Sequence, residues 1–250
     1  MSKKNKYILT IAGFDPSAGA GVLADIKTFE QHQCIGMAVQ TANTIQTGDE
    51  FLSVNWIDEA IIISQLELLL SKYRFSYVKI GLIQSLVFLQ KINSILLSNN
   101  GHTKIIWDPI LSASSGFDFN HDLSELESVL KGIYLMTPNW NEVKVLSKDD
   151  NAMKGAKHLS KFTKVLLKGG HNELDLGKDY LFQGDLQNGF NPKKTVKPIF
   201  AKHGSGCVLS SAIAANLFQG YPLHKTILKS KRYMEGFLSS NKTMLGNHRL

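Results

Sequence analysis

Residues 7–29 read YILTIAGFDPSAGAGVLADIKTF: an apolar run, a glycine-rich turn and an amphipathic stretch, in that order. The β-branched and apolar residues at 7–12 predict a buried strand, and residues 19–32 predict a helix. A strand that passes through a tight turn into a helix is typical of the βαβ unit, in which helices connect parallel strands. The segment therefore predicts an α/β fold with a mostly parallel sheet.

The same alternation continues along the 250-residue chain. Short runs rich in β-branched residues predict further strands at residues 36–41, 77–80, 104–107, 133–136 and 164–167. Amphipathic stretches predict further helices at residues 57–71, 86–98, 123–131, 151–162, 205–218 and 223–241. Sheets of this kind bind ligands at the carboxyl ends of their strands, so we expect the functional residues there.

Residues 170–202 differ from the rest, because short pieces are separated there by turn residues. Residues 179–182 and 187–190 predict two antiparallel strands joined by a tight turn, which would complete one edge of the sheet. No Pro/Gly-rich linker, low-complexity tract or internal repeat marks a boundary. We therefore expect a single domain over residues 1–250.

The composition argues against several classes of protein. No stretch approaches the roughly 20 apolar residues of a membrane span, and the polar residues 1–6 lack the apolar core of a secretory signal. We therefore expect a cytoplasmic protein without a membrane partner. The net charge of +7 comes from scattered lysines, which favours a solvated surface over a nucleic-acid partner. Cys34 and Cys207 are far apart and outside any metal-ligand spacing, which predicts reduced thiols.

The first strand runs into a glycine-rich turn at residues 13–21, here called the early glycine turn. Its glycines would let backbone amides approach a ligand closely, and Asp15 and Ser17 supply side chains that stabilise turns. The spacing matches neither the dinucleotide-binding GxGxxG pattern nor the P-loop. On this segment alone, a plain turn and a ligand-binding turn both remain open.

A second glycine-rich segment, KHGSGCVLSSA at residues 202–212, stands immediately before an apolar helix. We call residues 203–207 the late glycine turn. The free amide N–H groups and the positive dipole end of a helix start form a ready site for an anion such as a phosphoryl group. Simple capping of the helix by Ser205 is the alternative.

Taken together, the two segments resemble the opening and closing signatures of the hydroxymethylpyrimidine and phosphomethylpyrimidine kinases, which belong to the ribokinase-like superfamily. The opening resemblance covers residues 8–17 and 24–29, and the closing one covers residues 203–215. Three further motifs follow the family's order and approximate spacing: KIGL at 79–82, TPNWNE at 137–142 and LKGGH at 167–171. The resemblance covers nearly the whole chain.

The resemblance implies a three-layer α/β/α sandwich around a central, mostly parallel sheet, in agreement with the alternation of strands and helices. It also implies ATP-dependent phosphorylation of hydroxymethylpyrimidine and of its monophosphate in thiamine biosynthesis. The implied substrates are small molecules, and Mg²⁺ is the implied cofactor of ATP. A homodimer is typical of the family, and we expect one here.

For the transfer step, the resemblance implies that Gly204, Ser205, Gly206 and Cys207 form an anion hole at the helix start. Amides placed there can neutralise charge on the phosphate oxygens, which is most of what phosphoryl transfer requires. Cys207 stands where most superfamily members place an aspartate base. A thiol at a helix N-terminus can have a depressed pKa and accept the hydroxyl proton, or it can be a small residue that packs closely; both remain open.

On the nucleotide side, Asn139 and Glu142 match the family's Asn-x-x-Glu element and are expected to hold a hydrated Mg²⁺. A capping box at the start of a helix is the alternative for the same spacing. The resemblance also implies that Lys168 and Asp108 lie near ATP. Beyond Asp108, the family has a lysine where this chain has Ser114, so one cation is lost.

On the substrate side, TANTIQ at residues 41–46 resembles the family segment whose glutamine recognises the pyrimidine. The carboxamide of Gln46 can donate to the ring edge and accept from it at once. Gly13 and Asp25 belong to the neighbouring pocket wall in the family. An asparagine usually follows the glutamine, whereas Thr47 stands here, which leaves the conformation of the loop open.

Three functions are compatible with these residues. The leading hypothesis is a kinase for hydroxymethylpyrimidine and its monophosphate. Pyridoxal kinase is the alternative among enzymes, because relatives of the family accept a similar hydroxymethyl-bearing ring. A non-catalytic pyrimidine-binding regulator of the same fold is the third, motivated by Ser114 and Thr47. The intact late glycine turn and the Asn-x-x-Glu element argue against that third function.

Overall fold

The computed structural model describes residues 7–111, 122–172, 175–193 and 198–249. The strands in these ranges are β1 (Tyr7–Phe14), β2 (Ile35–Gln46), β3 (Phe51–Trp56), β4 (Tyr77–Ile80), β5 (Lys104–Trp107), β6 (Leu135–Met136), β7 (Lys164–Leu167), β8 (Asp179–Gln183) and β9 (Leu186–Phe190). The helices are α1 (Gly21–Gln31), α2 (Glu59–Lys72), α3 (Leu86–Asn99), α4 (Leu126–Lys131), α5 (Trp140–Ser147), α6 (Ala152–Leu159), α7 (Ser205–Phe218) and α8 (Leu223–Leu238).

The nine strands form one sheet in the order β3-β2-β1-β4-β5-β6-β7-β8-β9. The strands from β2 to β7 in this order pair in parallel. Strand β3 pairs antiparallel with β2 at one edge, and β8 and β9 form antiparallel pairs at the other. The mostly parallel sheet and its edge hairpin are therefore confirmed, whereas the single domain over residues 1–250 stays a prediction.

The sheet separates two apolar cores, because successive side chains of a strand point to opposite faces. Leu9 and Ile11 face the core formed with α2 to α6, while Ile8 between them faces the core formed with α1, α7 and α8. Ile105 and Ile106 divide between the two cores in the same way. Two helical layers thus enclose the sheet, and the predicted three-layer α/β/α sandwich is confirmed.

Helix α7 is buried along nearly its whole length. Its sequence, SGCVLSSAIAANLF, combines apolar side chains with small ones on every face, which is typical of a helix that lies inside the protein. Small residues let it pack closely against α1, α8 and the centre of the sheet. The start of α7 is therefore held rigidly at the carboxyl edge of the parallel strands.

Several element boundaries differ from the predicted ones. Strand β2 extends to Gln46 instead of ending at residue 41, because its outer half pairs with β3, a strand that was not predicted. Helix α1 begins at Gly21 instead of Gly19, since Ala18 and Gly21 both have positive φ and keep the early glycine turn out of the helix. The longer β2 carries Gln46 to the edge of the sheet where ligands are expected.

No helix in the described ranges combines the length and the apolar character needed to cross a membrane.

Candidate active site

A cleft of about 750 Å³ lies where β1, β2, β5, β6 and β7 end. It is lined by almost all the residues that the sequence predicts for the site: Gly13, Gln46, Asp108, Asn139, Glu142, Lys168, Gly204, Ser205, Gly206 and Cys207. Parallel strands end at the same edge of a sheet, so residues that are remote in sequence meet there. Asp25 is the predicted site residue that does not line the cleft.

The late glycine turn has a backbone that only glycine suits. Gly204 precedes the first residue of α7 with φ of +69°, in the left-handed region. A Cβ atom at this position would lie 2.0 Å from the carbonyl oxygen of Gly19, so the two glycine turns are in direct backbone contact. The first N–H groups of a helix have no partner within the helix. At the start of α7 these groups meet the cleft, as an anion hole requires.

Asp15 organises the early glycine turn and joins it to the late one. Its carboxylate accepts the backbone N–H groups of Ser17, Gly19 and Ala20 at 2.8, 3.1 and 2.8 Å, and His203 Nε2 lies 2.9 Å from Oδ2. Burial alone would raise the pKa of Asp15, but the hydrogen bonds from His203 and the turn hold it below its ordinary value. An ionised Asp15 therefore fixes both turns.

Lys168 and Asp108 form an ion pair directly over the start of α7. Lys168 Nζ lies 2.7 Å from Asp108 Oδ1, and a Cβ atom built on Gly206 would lie 3.1 Å from the same nitrogen. Thr137 Oγ1 donates to the Asp108 carboxylate at 3.1 Å. Burial opposes the charge on Asp108, but Lys168 and Lys79 hold its pKa below the ordinary value. A fixed ammonium group thus faces the helix start.

Asn139 and Glu142 form a capping box at the start of α5. Glu142 N–H donates to Asn139 Oδ1 at 2.9 Å, and Asn139 N–H donates to Glu142 Oε2 at 2.6 Å. The capping alternative is therefore realised, yet both side chains also line the cleft. Burial raises the pKa of Glu142 to about 7; Lys168, 3.8 Å away, opposes this rise and Asp108 adds to it.

The side-chain oxygens of Asn139 and Glu142 suit a Mg²⁺ ion that keeps its water shell better than one bound directly to the protein. The described chain contains no group of three His, Cys, Asp or Glu side chains that could hold a metal ion. Mg²⁺ usually keeps several waters and is held by one or two carboxylates together with substrate phosphates. Asn139 and Glu142 would hold such an ion through its water shell, with Lys168 beside it.

The cleft continues past Lys168 to a buried ion pair that the sequence analysis missed. Lys231 Nζ lies 2.7 Å from Asp179 Oδ2, and Asp179 Oδ1 accepts the Gly169 N–H at 2.7 Å. Lys231 also donates to the carbonyl oxygen of Gly177. The pair therefore fixes the backbone that follows Lys168. Lys231 and Asp179 are 52 positions apart in the sequence, and no local pattern indicates their pairing.

The comparisons with known proteins identify the family of the chain. Residues 15–249 match the sequence profile of the family described as phosphomethylpyrimidine kinase. The chain belongs to the phosphomethylpyrimidine kinase family. A hydroxymethylpyrimidine/phosphomethylpyrimidine kinase of Saccharomyces cerevisiae is 32% identical over 94% of this chain and 46% of that protein. The chain therefore spans about half the length of this curated relative.

A shorter relative and a solved structure extend the comparison. The hydroxymethylpyrimidine/phosphomethylpyrimidine kinase of Staphylococcus aureus is 31% identical over 92% of this chain and 87% of that protein. The solved pyridoxal kinase of Staphylococcus aureus in complex with ADP has a TM-score of 0.82 and 22% identity, and the match covers 97% of this chain and 91% of that one. At this identity the structural likeness shows the fold alone. It is the ribokinase-like fold, which the match to the phosphomethylpyrimidine kinase family also implies.

The pKa of Cys207 is not depressed, although a thiol at a helix N-terminus can have a lowered pKa. Burial raises the pKa of the Cys207 thiol to about 11; Lys79 and a hydrogen bond from Gly21 N–H oppose the rise, and Asp108 adds to it. A neutral thiol is a poor proton acceptor. The geometry therefore favours the packing alternative for Cys207, at a point where the late glycine turn meets the early one.

Asp25 lies behind the cleft instead of in its wall. It is fully buried, and its carboxylate accepts hydrogen bonds from Lys79 Nζ at 2.8 and 3.0 Å, Thr10 Oγ1 at 2.6 Å and Ser211 Oγ at 2.6 Å. These contacts join α1, β1, β4 and α7 beneath the anion hole. Asp25 does not line the cleft in this structure, because protein groups surround its carboxylate, and its predicted place in the substrate wall stays a prediction.

Gln46 lies in the wall of the cleft, and its role in recognising the pyrimidine stays a prediction. Its side chain lines the cleft, and its Nε2 donates to Thr44 Oγ1 at 2.8 Å. Thr47, the departure from the family pattern, begins a tight turn in which its N–H donates to the carbonyl oxygen of Glu50 at 2.8 Å. The local loop is therefore well formed without the usual asparagine. Ser114, the other departure, lies outside the described residues.

Proposed function

We propose that this protein transfers the terminal phosphoryl group of ATP to 4-amino-5-hydroxymethyl-2-methylpyrimidine, and then to the resulting monophosphate, in thiamine biosynthesis. The observation that carries the proposal is the position of the α7 start. It lines the same cleft as Gln46 and Lys168, and Lys168 Nζ lies beside Gly206. An alcohol bound beside Gln46 and a nucleotide bound beside Lys168 would meet at the late glycine turn. The names of the two curated relatives support the same reaction.

The substrate half of the cleft suits a flat heteroaromatic ring with a polar edge. Gly13, Phe14, Phe51 and Leu82 line it with backbone and apolar groups. Gln46 offers a carboxamide, which can donate to a ring nitrogen and accept from an amino group at the same time. Such paired contacts favour an aminopyrimidine over a ring that lacks the amino group.

The nucleotide half suits a polyphosphate. Lys168 stays charged, because burial is outweighed by Asp108 and Glu142, which raise its pKa above the ordinary value. Beyond it, Ile199, Met234 and Leu238 line an apolar part of the cleft that fits a purine base. Mg²⁺ held by Asn139 and Glu142 through water would supply further charge neutralisation on the phosphates.

In the proposed transfer, the hydroxyl oxygen of the pyrimidine, or an oxygen of its monophosphate in the second step, forms a bond to the terminal phosphorus of ATP while the bond to the leaving ADP oxygen breaks. The hydroxyl proton of the first step passes to water. The amides at the start of α7 and the ammonium group of Lys168 hold the charge that spreads over the phosphate oxygens. A loose transition state needs little base assistance. The neutral Cys207 can therefore lie beside the reaction without removing the hydroxyl proton.

We also propose that the protein acts on small molecules in the cytoplasm as a homodimer of single-domain chains, without a nucleic-acid or membrane partner. The scattered lysines and the family resemblance support this proposal. Size-exclusion chromatography with light scattering measures the number of chains directly. A monomer that retains full activity would contradict the dimer.

The test of the reaction is incubation of the purified protein with Mg-ATP and each candidate alcohol, followed by mass spectrometry of the products. Monophosphate and then diphosphate of hydroxymethylpyrimidine are expected, and omission of Mg²⁺ should stop both. Preferential phosphorylation of pyridoxal, the substrate of the enzyme with which this chain shares its fold, would replace the proposal with the alternative kinase. Tight binding of the pyrimidine without any product would point to a regulator.

A further inference from the structure

The chain that follows α8 returns to the site. The carbonyl oxygen of Met244 accepts the backbone N–H of His203 at 2.9 Å, so this segment contacts the late glycine turn. Leu245 contacts the early glycine turn and the loop after Gln46, because Cβ atoms built on Gly19 and Gly48 would lie 2.8 and 3.2 Å from its Cδ2. Residues 241–245, here called the C-terminal segment, therefore border three parts of the site at once.

Lys202, the residue before the late glycine turn, binds this segment through its ammonium group. Nζ donates to the backbone oxygen of Asn241 at 2.7 Å, to its side-chain Oδ1 at 2.9 Å and to the backbone oxygen of Thr243. An ammonium group has three donors, and each finds an oxygen of the C-terminal segment. Only 6% of Lys202 is exposed. In the described part of the chain, no ion pair joins the ammonium group of Lys202 to a carboxylate.

The C-terminal segment is folded around the same oxygens. Thr243 N–H donates to Asn241 Oδ1 at 2.9 Å, and Asn241 Nδ2 donates to the carbonyl oxygen of Leu245 at 3.0 Å. Further along, Tyr233 Oη lies 2.9 Å from His248 Nδ1, which attaches the chain to α8. The oxygens around Lys202 thus belong to a compact turn. A buried cation without a carboxylate partner is costly unless the neutral groups around it, here these oxygens and the Phe200 ring 5.7 Å from Nζ, are fixed in place.

We propose that Lys202 is a positioning residue for phosphoryl transfer. Its ammonium group fixes the C-terminal segment against residues 203–207, and this contact sets the direction of the first amides of α7. Lys202 does not line the cleft, so in this proposal it touches neither the alcohol nor the nucleotide. The inference rests on the proposed function for its effect on catalysis, but the contact between Lys202 and the segment can be tested without any substrate.

Lys202→Met keeps an unbranched side chain as far as Cε and removes the ammonium group. Displacement of catalytic groups by about 1 Å can cost roughly 100-fold in rate, so we expect kcat to fall by about 10- to 100-fold. The KM values for ATP and for the pyrimidine should stay within about twofold, because neither substrate contacts Lys202. Lys242→Met, an exposed lysine of the same segment, is the matched control and should leave kcat unchanged.

A second variant separates positioning from folding. Lys202→Ala leaves room for a small cation among the oxygens of Asn241 and Thr243, so ammonium chloride should restore part of the lost kcat. Tetramethylammonium chloride at the same ionic strength cannot donate hydrogen bonds and should restore nothing. Lys202→Arg, which keeps the charge, should retain more activity than Lys202→Met. Equal kcat in Lys202→Met and in the unaltered protein would overturn the proposal.

Hydrogen exchange without substrates distinguishes this inference from the proposed function. In Lys202→Met, the amides of residues 203–207 and 241–245 should exchange faster than in the unaltered protein. If no alcohol is phosphorylated by the unaltered protein, the proposed function fails, while faster exchange in the variant still supports the contact. If the unaltered protein is active and the variant shows unchanged exchange at both segments, the role of Lys202 is wrong and the proposed function stands.

Discussion

His203 Nε2 lies 2.9 Å from Asp15 Oδ2, although the two residues are 188 positions apart in the sequence. This contact brings the late glycine turn against the early one. A glycine-rich turn is an ordinary structural feature, so neither turn alone indicates a ligand-binding site. Side by side in one cleft, they place the helix start that we propose binds the phosphoryl group next to the turn that we propose holds the alcohol.

Asp15→Asn should destabilise the protein in a pH-dependent way. The folded pKa of Asp15 lies below its ordinary value of 3.8, so its stabilising effect is present above pH 3.8 and is lost as pH falls through the folded pKa. At pH 7 we expect a loss of about 1–3 kcal/mol in the free energy of unfolding. Urea unfolding at several pH values measures this loss.

The control for this experiment is Asp185→Asn, since the side chain of Asp185 is fully exposed in the β8–β9 turn. It should leave the free energy of unfolding nearly unchanged. A difference between Asp15→Asn and the unaltered protein that persists undiminished at pH 3 would show that the charge of Asp15 is not the source of the effect.

Cys207 should contribute no ionisation to the pH–rate profile. Because burial raises the pKa of its thiol to about 11, the group stays neutral between pH 6 and pH 9. We expect kcat/KM to follow the same pH dependence in Cys207→Ala as in the unaltered protein. An alkaline limb near pH 8 that disappears in Cys207→Ala would identify the thiol as a base after all.

Lys168→Met should impair both stability and catalysis. It leaves Asp108 buried without its closest partner, and removal of one member of a buried ion pair typically costs about 3–5 kcal/mol. Loss of the ammonium group over the helix start should also lower kcat by roughly 100- to 1000-fold. In the double variant Lys168→Met/Asp108→Asn, stability should partly recover while kcat remains low. Full recovery of kcat would mean that Lys168 acts only on folding.

Asp25→Asn should affect stability and not substrate affinity. The change removes the charge that compensates the fully buried Lys79, so we expect a loss of about 3–5 kcal/mol in the free energy of unfolding. The KM for hydroxymethylpyrimidine should stay constant, because Asp25 does not line the cleft. Gln46→Ala is the comparison, and it should raise that KM with little effect on stability. A raised KM in Asp25→Asn at unchanged stability would return Asp25 to the substrate wall.

The sequence predicted those parts of the fold that depend on local patterns. The apolar run and glycine turn before α1 and the small-residue run of α7 each indicate their structure without reference to the rest of the chain. Strand β3 was not predicted because it is short and half exposed, so its sequence lacks a clear alternation of buried and exposed residues. Its hydrogen bonds to β2 stabilise the strand instead. Pairing partners that lie far along the chain have no local signal.

The site likewise combines residues that the sequence marks with contacts that form only on folding. Gln46, Lys168 and the late glycine turn were identified because the family resemblance marks them. The contacts that hold them were not, since Lys231 meets Asp179, and Lys202 meets Asn241, only after the chain has folded. Burial also favours one of the two readings left open for Cys207: a helix N-terminus alone lowers a thiol pKa, but the closed surroundings of Cys207 raise it.

The turnover of Gly206→Val, measured beside its affinity for the pyrimidine, tests the anion hole most directly. A side chain at Gly206 would project towards Lys168 Nζ, into the space assigned to the migrating phosphate, whereas Gly236→Ala on the exposed face of α8 meets open space and serves as the control. We expect Gly206→Val to bind hydroxymethylpyrimidine as the unaltered protein does, by calorimetry, and to form product at least about 100-fold more slowly. Product formation by Gly206→Val at the unaltered rate would contradict the assignment of the late glycine turn as the phosphoryl site.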